Sequence, residues 1–379
     1  MIKKLYLLWF LTELSITSAL LVPLYFLRHI SEQQVFVLIA VYQISILLAE
    51  IPTWLIASRF WEKRSIILWF LCCIIFNFLI PFIDSFSGFI FLQIISAISV
   101  AFLSWSLATF IHELCKTHNH TYLQVRSTYK IIGFTTSIVS TIIGWFLLYF
   151  GYSAVFFLQG CFFIFAIILL ISIRGNPVHI LKEIKIFTVL KKSFWIITKR
   201  EIFLPVIFVF TFLSIEASVY ISFQTEYIKT LSLDPKYLGV LLSVFLLVSM
   251  FFTRILPHKK WILHPLFLIG IGIIFITVSY VHIIFGWFFT LLFLYLTQII
   301  RPMNIPIENE ILSKVNDKTG STVLSLVWFF ERWMFLLMTI SMIIFSINWI
   351  HAILYFSVIA TVLFIAISFK DFFKRNSIR

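Results

Sequence analysis

Two glutamates, Glu13 and Glu216, fall inside long apolar stretches of this 379-residue chain. An ionised side chain at mid-bilayer costs about 2.5–3.5 kcal/mol on insertion scales, so each of them needs a reason. Thr17 follows Glu13 by one helical turn. Glu216 is followed at successive i+4 steps by Tyr220 and Gln224, a polar line along one helix face. Thr211, Ser214, Ser218 and Ser222 mark a second polar face of the same stretch. Carboxyls held away from water are the groups that exchange protons at working pH, so the chemistry on offer is proton coupling. The alternative is that each carboxyl is neutral or hydrogen-bonded and merely packs. Glu331 and Arg332 are adjacent in a later stretch. Helix neighbours point about 100° apart and do not pair with each other. Arg332 could therefore meet Glu13 or Glu216 from another helix, or form a purely structural ion pair. Phe208 and Phe212 share the face of Glu216 and Tyr220. An aromatic cavity with few charges suits an amphipathic or cationic organic molecule better than a sugar phosphate, which needs paired Arg or Lys.

Twelve apolar runs carry these residues, near 5–27, 34–57, 65–83, 86–111, 127–150, 152–173, 202–226, 237–256, 261–282, 284–306, 321–346 and 348–369. Such lengths match a hydrocarbon layer of about 30 Å at 1.5 Å per residue. The composition agrees: 61% of residues are hydrophobic and 12% charged. The basic residues crowd into every second gap. With the N-terminus inside the cell, the inner segments and the run ends that border them hold 25 of the 29 Lys and Arg. Arg28, Lys229 and Lys236 are the outer exceptions, and Arg332 alone lies deep in a run. That parity predicts twelve helices with both termini cytoplasmic.

The net charge of +13 is spread over seven short inner segments, which points to the lipid surface and away from nucleic acid. Cys72, Cys73, Cys115 and Cys161 have no metal-site spacing and form no disulfide framework. His112, His118 and His120 beside Glu113 lack a zinc spacing and read as a solvated loop. No phosphate-binding glycine loop, nucleophile elbow or metalloprotease motif occurs. The outer connections are too short for a folded domain, so the chain is not read as an enzyme, and no cofactor is expected. Met1 to Leu20 has a basic start but leads into further spans, and is read as the first helix. The wealth of Ile, Phe and Lys suggests a bacterial source.

The longest polar stretch, 174–201, carries Gly175, Pro177 and seven basic residues. It divides the chain into a six-helix half at 1–174, a cytoplasmic linker at 175–201 and a second six-helix half at 202–379. Apolar and lysine residues alternate within it, as in an amphipathic helix on the inner leaflet. Two equal halves point to a secondary transporter with its substrate near the midplane between them.

The end of the second run reads Glu50-Ile51-Pro52-Thr53-Trp54-Leu55-Ile56-Ala57-Ser58-Arg59-Phe60-Trp61-Glu62-Lys63-Arg64-Ser65. It resembles the loop between helices two and three in the branch of the major facilitator superfamily that reads E-I-P-T-G-x-x-A-D-R-x-G-R-R-x-S. Trp54 and Trp61 stand for glycines and Ser58 for the aspartate. Ser104 to Lys116 is similar to that branch's fourth helix, with Glu113 for its aspartate, and Asp317 to Ser325 to the start of its eleventh. The resemblance implies an all-α membrane fold of twelve helices in two halves. It also implies a gating role for Glu50, Pro52, Arg59, Lys63, Arg64 and Glu113. The family's aspartate latches the outward-open state; Ser58 carries no charge, so the latch is weaker here, or Glu62 or Glu113 replaces it. Plain lipid anchoring is the other reading of Arg59 and Arg64, and a structural role that of Glu50. Arg301, before Pro302 and Pro306, either lines the inner mouth or anchors.

The expectation is a monomeric carrier in the cell membrane working by alternating access. It exchanges protons, or alternatively sodium, and exports a small hydrophobic or amphipathic compound. Uptake of a small organic solute, or a transporter-derived protein that no longer transports, are the alternatives.

Overall fold

Peptide groups in hydrocarbon find no water, so each apolar run must close its own hydrogen bonds as a helix. The computed structural model has this form. It describes residues 2–15, 17–60, 62–103, 106–173 and 235–255, with single positions at 191 and 195 and others scattered through 267–277, 305–309, 323–340 and 355–365. Every described element is helical. The first apolar run holds α1 (Ile2–Ser15) and α2 (Thr17–Phe26). Then come α3 (Glu32–Phe60), α4 (Glu62–Leu79), α5 (Phe86–Leu103), α6 (Ser106–Thr117), α7 (Tyr122–Leu147), α8 (Tyr152–Ser172) and α9 (Pro235–Ile255). Among the described residues five stretches are long and apolar enough to cross a membrane: Gln33–Glu50, Lys63–Phe82, Phe86–Leu103, Tyr122–Phe150 and Tyr152–Ser172. They coincide with the second to sixth runs of the sequence.

The connections are tight. A 3-10 turn, Ile80–Phe82, follows α4 and places Pro81 in its first turn, where no N–H is required. The Oγ of Ser85 accepts from the Gly88 N–H at 3.2 Å and opens α5. Leu148–Phe150 leads to Gly151, whose φ of 97° strains any side chain, and α8 begins at the next residue.

Packing orders the helices. α1 lies against α7 and α8, α4 against α5 and α8, and α3 against α5. Leu5, Leu8, Ile66, Phe70, Tyr129 and Ala166 meet in one core. Phe26, Leu38, Phe89, Leu92 and Phe156 meet in another. Leu48, Phe82, Phe146 and Ile168 stay exposed on the outside of the bundle, as lipid-facing residues do. Two seams join these helices to the later chain. α9 lies along α7, and Phe329, Leu336 and Ile340 pack on Ala40 and Leu47 of α3.

One end of the bundle is basic. Lys63 Nζ donates to the Ile171 and Ile173 carbonyls at 3.0 and 2.8 Å, and Lys4 Nζ reaches the Ser172 Oγ at 3.3 Å. The two lysines thereby close carbonyls that the end of α8 leaves open.

Candidate functional site

Tyr122, Arg126, Tyr129, Gly133 and Ser137 follow one another along α7 at steps of four, three, four and four, which places them on one helix face. Arg126 grips Glu308, 182 positions away, in a two-pronged pair: Nε donates to Oε2 at 3.0 Å and Nη2 to Oε1 at 3.1 Å. The Tyr122 hydroxyl adds a third donor to Oε2 at 3.3 Å. Arg126 is 5% exposed and Glu308 2%. So deep a charge pair persists only because its geometry is near the bidentate optimum and further donors complete it. The guanidinium also sits 5.2 Å over the Tyr129 ring, and the His112 ring meets Tyr122 edge-on.

The same face continues to Glu13. The Tyr129 ring stacks on Trp9 at 4.0 Å between centroids. One turn beyond Trp9, Glu13 Oε2 accepts from the Ser137 Oγ at 2.8 Å. Ser140 Oγ donates to the Leu14 carbonyl at 2.8 Å and fastens α1 to α7 a little further on. Gly133 is what allows the approach. A Cβ there would stand 2.6 Å from Trp9 Nε1 and 3.3 Å from Glu13 Oε1. Glu13, Arg126 and Glu308 all lie within electrostatic reach of Tyr129. A carboxyl on α1 and an ion pair near the basic end are therefore joined by one stiff helix and one aromatic stack.

A cavity of about 380 Å³ lies among α2, α3, α4 and α5, with Phe163 of α8 and Phe335 at its edge. Tyr42 lines it, and Arg332, half-buried, acts electrostatically on Tyr42.

Of the residues singled out from the sequence, Glu13 has the surroundings just described. Glu50, in α3, is buried and engaged. Pro52 lies inside α3, not in a loop, and its neighbour Thr53 donates to the Ala49 carbonyl at 2.8 Å and reaches the Ala101 carbonyl of α5 at 3.3 Å. Lys63 binds the end of α8, and Arg64 is exposed. For Arg59 and Glu113 the backbone is helical and the side chains lie outside the described residues. Glu216, Tyr220, Gln224, Glu331 and Arg301 lie outside the described residues altogether. Sequence reasoning missed the pairing of Arg126, which it counted as one more inner-side charge, and did not single out Glu308. The available signal was the regular spacing of Tyr122, Arg126, Tyr129, Gly133 and Ser137.

A family model described as Major Facilitator Superfamily matches residues 5–337. A crystal structure of the nucleoside transporter NupG is similar over 96% of this chain and 98% of its own, with a TM-score of 0.68 and 13% identity. A second NupG structure, of a point mutant, matches over 96% and 99%, with the same TM-score and 14% identity. At that identity the likeness concerns the fold. No curated protein matches the sequence.

Proposed function

Since this chain belongs to the major facilitator superfamily, we propose that it is a proton-coupled secondary transporter that exports a small hydrophobic or amphipathic compound. It is a multi-pass membrane transporter built on that superfamily's fold. In the proposal the helices before residue 174 and those after 202 are two halves that rock about a midplane site, with the linker, both termini and the basic end in the cytosol.

The observation that carries this reading is the buried Arg126–Glu308 pair. Alternating access requires that one end be shut while the other is open. A charge pair that ties α7 to the later chain near the basic end supplies the closure, and its separation and rehydration supply the opening. Glu13 is the proposed proton site. It bonds to Ser137, which shares its α7 face with Arg126, so a change in its charge is felt at Tyr129 and along α7. Glu216 is its expected counterpart in the second half.

Reconstituted vesicles loaded with the amphipathic dye Hoechst 33342 test the proposal. The expected result is dye movement driven by an imposed pH gradient and lost in Glu13→Gln, with the variant still inserted and monodisperse. Movement in Glu13→Gln that keeps its full dependence on the gradient removes Glu13 from the mechanism. Uptake is the second reading, and the likeness to a nucleoside transporter favours it. Accumulation of uridine in the same vesicles, with no movement of dye, decides for uptake.

A further inference from the structure

The cavity beside Tyr42 is lined by three primary amides, those of Gln43, Asn77 and Gln93. Gln43 and Asn77 are only 2% and 3% exposed. At this depth an amide without partners costs several kcal/mol in a medium that cannot hydrogen-bond, so buried amides are normally satisfied. These are not. Among the described residues the Gln43 side chain has no hydrogen-bond partner, and its Oε1 is buried. Asn77 Nδ2 donates to the Cys73 carbonyl of its own helix at 2.8 Å, while Oδ1 has no partner. Two buried, unsatisfied carbonyl oxygens on neighbouring helices therefore border one cavity. Its described lining holds no Asp, Glu, Lys, Arg or His. The remaining walls are mostly aromatic and aliphatic, with Trp69, Phe76 and Phe163 the broad ring surfaces and Tyr42, Ser96, Ser99 and Cys73 the other polar groups.

We propose that this cavity is a binding site for an uncharged, flat-ring compound bearing N–H or O–H donors, held by Gln43 and Asn77 between aromatic walls. The unsatisfied oxygens call for donors on the ligand. No charged side chain is among the described lining and Arg332 acts on Tyr42 from outside it, so a neutral ligand fits better than an ion. The volume of about 380 Å³ falls in the range of small-molecule sites and fits one or two fused rings with substituents. The site lies among α2 to α5 with Phe335 at its edge, apart from the Glu13 and Arg126 groups, so its occupancy does not presuppose the transport reading.

The test uses the full chain in lipid nanodiscs and pairs of probes that differ only in charge: nicotinamide against nicotinate, benzamide against benzoate, and indole-3-carboxamide against indole-3-carboxylate. Binding is read by thermal shift and by tryptophan fluorescence. The expected result is saturable binding of at least one carboxamide, with its carboxylate at least tenfold weaker. Gln43→Met and Asn77→Leu keep the side-chain length, and each weakens that binding about three- to tenfold, the loss of one neutral hydrogen bond. If ordered water alone satisfies the amides, none of the carboxamides binds, and the proposal is overturned. It is equally overturned if a carboxylate binds as well as its amide, or if binding survives in the Gln43→Met/Asn77→Leu double variant. The melting temperature of each variant without ligand separates loss of binding from loss of folding.

Discussion

Removing one member of the Arg126–Glu308 pair leaves the other charge buried and uncompensated. Both groups are nearly inaccessible, and the pair has two short bonds with a third from Tyr122. Breaking such a pair from one side costs about 3–5 kcal/mol. That cost falls on the state in which the basic end is closed, because an open end lets water solvate the orphaned charge. At about 1.4 kcal/mol per tenfold, Glu308→Gln or Arg126→Leu should shift the closed–open equilibrium by roughly a hundred- to several-thousandfold toward opening. The double variant Arg126→Leu/Glu308→Leu removes both charges and should recover most of the loss, since an apolar replacement of a whole buried pair is often neutral. The assay is the spin–spin distance between labels at Lys116→Cys and Arg254→Cys, exposed positions at the ends of α6 and α9. In the single variants the distribution should lengthen and broaden, and in the double variant it should return toward that of the parent. An unchanged distribution and melting temperature in both single variants would refute the claim that the pair holds the basic end shut.

Two further expectations follow from particular contacts. Gly133→Ala places a methyl 2.6 Å from Trp9 Nε1, so the Trp9 ring, or α1 with it, must shift; a loss of about 1–3 kcal/mol is expected, read as a lower melting temperature, and a stability equal to the parent's would show that the seam yields freely. Burial pushes the Cys115 thiol up to about 11, so the neutral form prevails at pH 7.5 and the nucleophilic thiolate is scarce. A variant keeping Cys115 as its only cysteine should resist N-ethylmaleimide at pH 7.5 and react faster as pH rises toward 11, and rapid labelling at pH 7.5 would contradict that burial.

What could be read from the sequence was whatever one helix reports about itself. A run such as Tyr152 to Ser172 is apolar throughout, and its length alone makes it a membrane-spanning helix. Glu13 stood out for the same reason, as a carboxyl among Leu and Phe. Arg126 did not stand out, because an arginine near a helix end looks the same whether it meets a lipid phosphate or a carboxylate. Only the fold brings Glu308 to it across 182 positions. Lys63 is a related case: its motif suggests a gate, and only the fold shows its ammonium engaged by the last carbonyls of α8. Gln43, Asn77 and Gln93 were passed over because uncharged amides are common on helices and cost little where a partner is near. Their significance arises from lining a shared space in which Gln43 and Asn77 are buried, a property of four helices together and of no segment alone. Periodicity and charge parity thus carry the architecture, whereas the partners of each polar group depend on which helices pack. Those choices rest on small-residue contacts such as Gly133 against Trp9 and Gly160 against Phe78, and a one-dimensional pattern does not encode them.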